Sequence, residues 1–198
     1  EMQRSLVGSE MCIRDRSMVN YEVAVGQSFL GGDLYTELTA FFIDGKDMIY
    51  SVSVNGDGRP PYKNLNTGTF TNKGIEFEAR YQICKNLNLD MNYSYLHMSK
   101  PIPGAPGHKF YAGVTYMPGR FTLNVNMQSV FDLYTDAECS KKEDFTTLNA
   151  KVAYRFGTRD KGLNLFVKGE NLTATRYTIN DGFPMPKAIF MGGIDVTF

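Results

Sequence analysis

Two carboxylates stand two residues apart at Glu76 and Glu78, in a run that alternates between apolar and polar residues. On an extended strand, residues i and i+2 share a face, so these carboxylates would be neighbours, as glycosidases require for acid–base chemistry. Arg80 falls on the same face and offers a counter-ion. Charges at equivalent positions of later runs are Lys151, Arg155, Lys168 and Glu170. Interspersed charges of both signs are typical of a wetted surface, and we predict that none of them is catalytic.

The histidines and cysteines add no catalytic or metal-binding pattern. The chain has two histidines, His97 and His108, and neither has an acidic partner at a ligand spacing. A lipid-facing hydrolase would need a serine and a histidine on one strand face, but Ser94 and His97 alternate onto opposite faces. Three widely separated cysteines fit neither a disulfide framework nor a metal motif. The sequence therefore predicts no enzyme activity, no bound metal and no cofactor.

Composition narrows the class of protein further. The 198 residues are 42% hydrophobic and 13% aromatic, which is too apolar for a disordered chain. Lys and Arg number 21, as do Asp and Glu, so the net charge is zero and no basic surface is available to attract nucleic acid. The sequence contains no run of about 20 apolar residues, the length that a membrane-spanning helix needs. A β-barrel wall stays compatible with this composition, because its strands alternate apolar and polar residues.

Alternation with a period of two predicts an all-β antiparallel meander. In residues 89–96, Leu89, Met91 and Tyr93 share one face, whereas the residues between them are polar. About nine such runs follow one another, separated by glycine, proline, asparagine and aspartate. We predict sequentially paired strands near 19–30, 33–50, 67–85, 87–98, 108–117, 120–131, 145–156, 162–176 and 187–198.

The lengths of the runs and connections favour a transmembrane barrel over a soluble sandwich. The runs are about twice as long as a typical strand of five or six residues, and a barrel strand needs about 9–11 residues to cross a bilayer. Short turns at 30–33, 85–87, 117–120 and 157–162 alternate with loops at 51–66, 98–107, 132–144 and 177–187. Outer-membrane barrels have this asymmetry. Nine strands cannot complete a bacterial barrel, which has an even number, so the barrel should be incomplete and the sheet should curve without closing.

The faces of the strands are predicted from the same alternation. We expect a convex, lipid-facing surface that includes Leu89, Met91, Tyr93, Leu123, Val125, Val152, Tyr154, Ile194 and Val196. The opposite, concave surface should line a lumen and include Asn124 and Asn126 together with Glu76, Glu78, Arg80, Lys151, Arg155, Lys168 and Glu170. Aromatic residues near the ends of runs would form the interfacial girdles of a barrel.

Three motifs in order resemble the C-terminal part of TonB-dependent outer-membrane receptors. Residues 64–81 resemble a long strand of that family around Lys73, Gly74, Ile75 and Glu76, and residues 171–173 resemble its Asn-Leu-Thr signature. Residues 179–198 are similar to its closing segment, which ends on an aromatic residue, here Phe198. The family usually follows its Pro-Met-Pro run with Gly-Arg, whereas Lys187 and an alanine stand here.

The resemblance implies a domain organisation and a function. Residues 18–198 would be the C-terminal portion of an outer-membrane β-barrel, and residues 1–17, which resemble a translated sequencing adapter, an artefactual or disordered segment. The plug domain and the segment that contacts the TonB complex would lie in a missing N-terminal part. The protein would reside in the cell outer membrane of a Gram-negative bacterium, contact outer-membrane lipid, and be inserted by the barrel assembly machinery, with Phe198 as the insertion signal.

The implied function is import of a scarce, bulky small-molecule nutrient, of the iron-siderophore, haem or cobalamin class. Because only the long loops would face the medium, large charged and aromatic loop residues are the candidate ligand contacts: Arg59, Tyr62, Asp136, Lys141 and Lys142. Two alternatives stay open. One is a passive porin or structural barrel without energy coupling, and the other is a soluble β-sandwich interaction module.

Overall fold

The computed structural model describes residues 17–47, 49–53, 62–66, 68–157 and 161–197. A single 3₁₀ turn, Leu30–Gly32, accompanies thirteen strands in these residues. The strands are β1 Ser17–Phe29, β2 Leu34–Lys46, β3 Ile49–Ser53, β4 Tyr62–Asn66, β5 Thr69–Cys84, β6 Leu87–Met98, β7 His108–Tyr116, β8 Phe121–Tyr134, β9 Lys142–Gly157, β10 Gly162–Glu170, β11 Thr178–Asn180, β12 Phe183–Pro184 and β13 Ile189–Thr197.

Nine of the strands form one antiparallel sheet in the order β1-β2-β5-β6-β7-β8-β9-β10-β13. Neighbours in the sheet follow one another in the chain, apart from two small hairpins, β3-β4 and β11-β12, that lie within connections. Within the described residues, β1 pairs only with β2, and β13 only with β10, so the sheet does not close. The predicted all-β meander of nine long strands, an incomplete barrel, is confirmed.

The register gives the sheet one apolar and one polar face, since residues that pair across strands share a face. Phe77 pairs with Leu38 on one side and Tyr93 on the other, and Val125 pairs with Val114. The same face carries all nine residues that the alternation assigns to the convex surface. The opposite face carries Glu78 and Asn92, paired across β5 and β6, and Asn126, paired with Asn149.

The apolar face is uncovered rather than packed against a second layer. Val167 is 62% exposed and Ile194 63% exposed. In the described part of the chain no large side chain is completely buried. Four apolar residues are nearly so, and they are Phe70, Val130, Leu133 and Ala153. A soluble sandwich would bury its apolar faces between two sheets. The structure is instead a single-layer wall.

Aromatic rings lie across glycines on the polar face. A Cβ added at Gly193 would come within 2.5 Å of the ring of Phe166, its cross-strand partner. The ring of Phe70 likewise occupies the space above Gly45, and Phe70 is one of the few buried apolar residues. An aromatic ring over a strand glycine covers backbone that would otherwise be exposed, and it helps to fix the register.

The strand boundaries differ from prediction mainly at the long loops. The predicted strand 162–176 ends at Glu170, because Asn171 and Ala174 have φ angles of 50° and 52°, which a strand cannot accommodate. The predicted loop 51–66 includes residues of β3 and β4. Strand β8 continues to Tyr134 and β9 begins at Lys142, so both strands extend into the predicted loop 132–144. Ser17, placed in the separate N-terminal segment by the sequence, is the first residue of β1. No described helix is long and apolar enough to cross a membrane.

Candidate functional site: the polar face and its long loops

A cavity of about 420 Å³ opens on the polar face above β2, β5, β6, β7 and β8. Glu37, Glu76 and Glu78 line it together with Lys109 and neutral polar side chains. Arg80 Nη2 lies 2.5 Å from Glu78 Oε1, so one carboxylate of the predicted pair is engaged in an ion pair on its own strand. The cavity is thus a hydrophilic hollow with both charge signs in its wall.

The remaining charged residues of the predicted lumen also lie on the polar face. Lys151 and Lys168 pair across β9 and β10. Lys168 Nζ approaches Glu170 Oε1 at 2.5 Å, and Lys151 Nζ lies 4.4 Å from the centroid of Phe166. Two like charges on opposed residues repel, so these separate partners stabilise the pairing. Arg155 pairs with Asn164 further along the same two strands.

A chain of side-chain amides connects the polar face to the region of the long loops. Asn124 Nδ2 donates to Thr115 Oγ1 at 2.8 Å, and Asn126 Nδ2 donates to Asn124 Oδ1 at 2.9 Å. Asn149 Nδ2 in turn donates to Asn126 Oδ1 at 2.9 Å. The chain ends where the backbone N–H of Asn171 donates to Asn149 Oδ1 at 2.9 Å. We call Thr115, Asn124, Asn126 and Asn149 together the amide ladder.

Asn171, the first residue of the Asn-Leu-Thr motif, is a buried hub with 5% exposure. Its Nδ2 donates to the carbonyl oxygens of Thr175 at 2.8 Å and Pro186 at 3.1 Å. Its Oδ1 accepts the backbone N–H of Thr175 at 3.1 Å and the hydroxyl of Thr173 at 3.2 Å. The side chain therefore organises the irregular segment that replaces the upper part of β10.

The segment after Asn171 runs alongside β9 but is not a strand of the sheet. Leu172 N donates to Leu148 O at 2.7 Å, and Thr175 Oγ1 donates to Thr146 O at 2.8 Å. Further along, the ring of Tyr177 stacks on Phe145 with centroids 3.9 Å apart. The motif thus positions the connection between β10 and β13.

Three of the five loop residues predicted to contact a ligand, Asp136, Lys141 and Lys142, hold the loops together. Asp136 accepts the backbone N–H groups of Ser140 at 2.9 Å and Lys141 at 2.8 Å, and the Ser140 hydroxyl at 2.5 Å. Burial raises the pKa of Asp136, but these hydrogen bonds together lower it below its ordinary value. Lys141 Nζ donates to Asp181 Oδ2 at 2.5 Å, which raises the pKa of the Lys141 ammonium.

Lys142, the third of these residues, bridges the ends of β8 and β9. Its Nζ donates to Asp132 Oδ1 at 2.6 Å and lies 5.1 Å from the ring centroid of Tyr134. Arg59 lies outside the described residues, and Tyr62 begins β4 with its side chain outside the description. Phe198 is also outside the described residues.

One exposed aromatic residue at these loops is absent from the sequence-based candidates. Phe183 in β12 is 73% exposed. The signal that could have found it is the Asp181-Gly182 pair just before it, because Asp-Gly predicts a tight hairpin turn. The described residues contain no group of three or more His, Cys, Asp or Glu side chains placed to hold a metal ion.

Aromatic residues surround His108 on the apolar face at the long-loop end. Tyr93 Oη and His108 Nδ1 are 2.8 Å apart, and the rings of Tyr95 and His108 have centroids 4.9 Å apart. Asp132 Oδ2 lies 4.0 Å from His108 Nε2. Aromatic rings with polar atoms at the rim of an apolar band are typical of a membrane interface.

A comparison with protein families identifies the family to which this β-sheet belongs. A family model described as "TonB dependent receptor-like, beta-barrel" matches residues 17–172. The chain belongs to the TonB-dependent receptor β-barrel family. This confirms the resemblance carried by the sequence motifs. Members of the family are outer-membrane proteins of Gram-negative bacteria, and they are transport receptors rather than enzymes.

Solved structures of TonB-dependent receptors share the fold of the chain. The copper transporter OprC is 19% identical, with a TM-score of 0.77 over 94% of this chain and 32% of its own. The ferric-catecholate import receptor Fiu of Escherichia coli K12 is 15% identical, with a TM-score of 0.69 over 94% of this chain and 28% of its own. The ferric citrate transporter FecA is 21% identical, with a TM-score of 0.69 over 89% of this chain and 31% of its own.

The chain spans less than a third of the length of these three receptors. At this identity they share the fold with the chain, and they are named for the transport or import of copper, ferric catecholate and ferric citrate.

Proposed function

We propose that the chain is the C-terminal wall of an energy-coupled outer-membrane receptor that imports an iron-siderophore complex. In this proposal the apolar face contacts lipid, the polar face lines the lumen, and the long loops capture the nutrient. A plug domain and the contact with the TonB complex belong to an N-terminal part of the full-length receptor. Haem and cobalamin are the other nutrient classes that the resemblance to the family implies.

The observation that carries the proposal is the match of the family to residues 17–172. The fold supports it, because the uncovered apolar side chains of one face would be stabilised by lipid and the polar face would tolerate a wet interior. The ferric-catecholate and ferric citrate receptors support the choice of an iron complex as the nutrient.

The assembly partners form part of the same proposal. A terminal strand that presents an aromatic residue to the barrel assembly machinery would start insertion, and Phe198 is the residue proposed for this contact. Deleting Phe198 from the full-length receptor should lower its amount in the outer membrane without lowering its synthesis. Immunoblots of outer-membrane and soluble fractions measure both quantities.

A passive porin is the alternative that the experiment must separate from the receptor. A plugged lumen does not leak, so import by a receptor needs an energised inner membrane, whereas a porin does not. The complete gene should therefore be deleted and restored in cells that either contain or lack TonB. Uptake of radioactive iron supplied as a panel of ferric siderophores, and growth on haem or cobalamin, are then measured.

We expect that the restored gene supports uptake of at least one ferric siderophore and that loss of TonB or of the proton gradient abolishes it. Uptake that persists without TonB would contradict the receptor proposal and support the passive porin. If only haem or cobalamin is taken up, and only with TonB, the protein is an energy-coupled receptor but the proposed iron-siderophore nutrient is wrong. Shortening the 135–141 loop should reduce binding, and the matched control Arg120→Ala, in the short turn before β8 at the opposite end, should not.

A further inference from the structure

The hairpin formed by β11 and β12 is attached very differently at its base and at its tip. It turns at Asp181 and Gly182, where Gly182 has a φ angle of 83° that suits a tight turn. The base comprises residues 171–178 with 185–186, and the tip comprises residues 179–184.

The base is held by several hydrogen bonds and one pair of stacked rings. The buried Asn171 side chain joins the two arms of the base, because it donates to the carbonyls of Thr175 and Pro186. Met185 N donates to Tyr177 O at 2.9 Å, and the Tyr177 ring stacks on Phe145 of β9. Thr178 Oγ1 donates to Glu143 Oε2 at 3.3 Å. Buried hydrogen bonds and stacked rings are costly to break, so the base should stay in place.

Asp181 holds the tip to the neighbouring 135–141 loop. Its carboxylate accepts from Lys141 at 2.5 Å, and its backbone N–H donates to Thr135 O at 2.9 Å. The side chains of Lys141 and Asp181 are 60% and 49% exposed. An ion pair so open to water contributes little free energy and weakens with salt. The tip also carries Phe183, the most exposed of the large apolar side chains that the structure describes.

We propose that the tip of this hairpin is a hinged lid, with residues 171–178 and 185–186 as its fixed base and the Lys141–Asp181 ion pair as its latch. Release of the latch lets residues 179–184 swing away from the 135–141 loop while Asn171 keeps the base on β9. The lid moves Phe183, whose exposed ring suits contact with an apolar or aromatic part of a bound molecule.

Hydrogen exchange of the full-length receptor in detergent, without any ligand, tests the lid. Asp181→Asn weakens the latch but keeps the size of the side chain. We expect the amides of residues 179–184 to exchange up to about fivefold faster, the range that follows from the strength of exposed ion pairs, while residues 171–177 do not change. Raising the salt concentration should have the same effect on the unsubstituted receptor.

Two variants make the result decisive. Asn171→Ala should speed exchange in the base as well as in the tip. The charge exchange of Lys141→Asp with Asp181→Lys should restore slow exchange in the tip. Unchanged exchange in Asp181→Asn, equal acceleration of base and tip in that variant, or no restoration by the charge exchange would overturn the proposal. Because no ligand is present, its failure would be distinct from a failure of the import function.

Discussion

Asn149 Oδ1 accepts the backbone N–H of Asn171 at 2.9 Å, and this bond joins the amide ladder to the hub of the last long connection. Asn149→Ala removes the acceptor and leaves a donor of the buried Asn171 without its partner, which costs about 1–3 kcal/mol. We expect a lower unfolding temperature and faster hydrogen exchange at residues 171–175. Heating followed by electrophoretic separation of folded and unfolded barrel measures the first effect.

The matched control for this prediction is Asn149→Asp. A carboxylate keeps the oxygen that Asn171 requires but loses the donor to Asn126. It should therefore preserve slow exchange at 171–175 better than the alanine variant does. Equal effects of the two substitutions would show that the Asn149–Asn171 bond does not hold the hub.

Adjacent glycines in β13 should respond differently to the same substitution. A Cβ at Gly193 would lie 2.5 Å from the Phe166 ring, whereas a Cβ at Gly192 would have a backbone oxygen 3.6 Å away as its near neighbour. Gly193→Ala should cost about 1–3 kcal/mol through overpacking, and Gly192→Ala should be close to neutral. Unfolding of the purified receptor in urea measures both. Adding Phe166→Leu to Gly193→Ala should recover part of the loss, because the ring is the obstacle.

A charge on the apolar face should block insertion, whereas the same charge on the polar face should not. Val125 lies on the apolar face and is 47% exposed, and Gln128 lies on the same strand at the polar cavity. Val125→Lys should cost about 2–4 kcal/mol if it meets the bilayer midplane, since a lysine must leave water there. Gln128→Lys is the control. The amount of folded receptor in outer-membrane fractions is the measurement, and equal amounts for both variants would contradict the assignment of faces.

The faces of the wall were predictable from sequence because a strand alternates strictly. A slip of one residue would move Leu123, Val125 and their partners to the polar face, so the alternation determines the register almost alone. The confirmed meander follows from this local signal and from the turn residues between runs. The end of β10 was not predictable, because the left-handed conformation of Asn171 depends on partners as distant as Asn149 and Pro186.

The loop contacts were less accessible to sequence reasoning. The sequence predicts Lys141 and Lys142 as ligand contacts because they are long charged loop side chains, but the structure pairs them with Asp181 and Asp132. The partner of Lys141 is 40 residues away, so no local pattern reveals it. Phe183 differs from Lys141 in this respect. Its exposed position follows from the β11-β12 hairpin, and a local signal, the Asp-Gly pair, predicts that hairpin. Whether any of these residues contacts a ligand stays a prediction.

The 135–141 loop should keep its structure to a lower pH than an ordinary aspartate would allow. The hydrogen bonds that Asp136 accepts outweigh its partial burial and lower its pKa from an ordinary value of 3.8. A carboxylate with a depressed pKa stabilises the folded loop above the unfolded value, and this contribution disappears as the pH falls through the folded pKa. As the pH falls below the ordinary value of 3.8, cleavage of the loop by an acid protease should therefore rise more steeply than cleavage of an unstructured peptide by the same protease.

Asp136→Asn separates this effect from general acid unfolding. An amide keeps one oxygen for the backbone N–H groups of Ser140 and Lys141 but cannot titrate. The variant should be cleaved faster than the unsubstituted receptor above pH 3.8 and should lose the steep rise below that pH. Cleavage that follows the same pH curve in both proteins would contradict the role of Asp136, because the loss of loop structure would then come from another group.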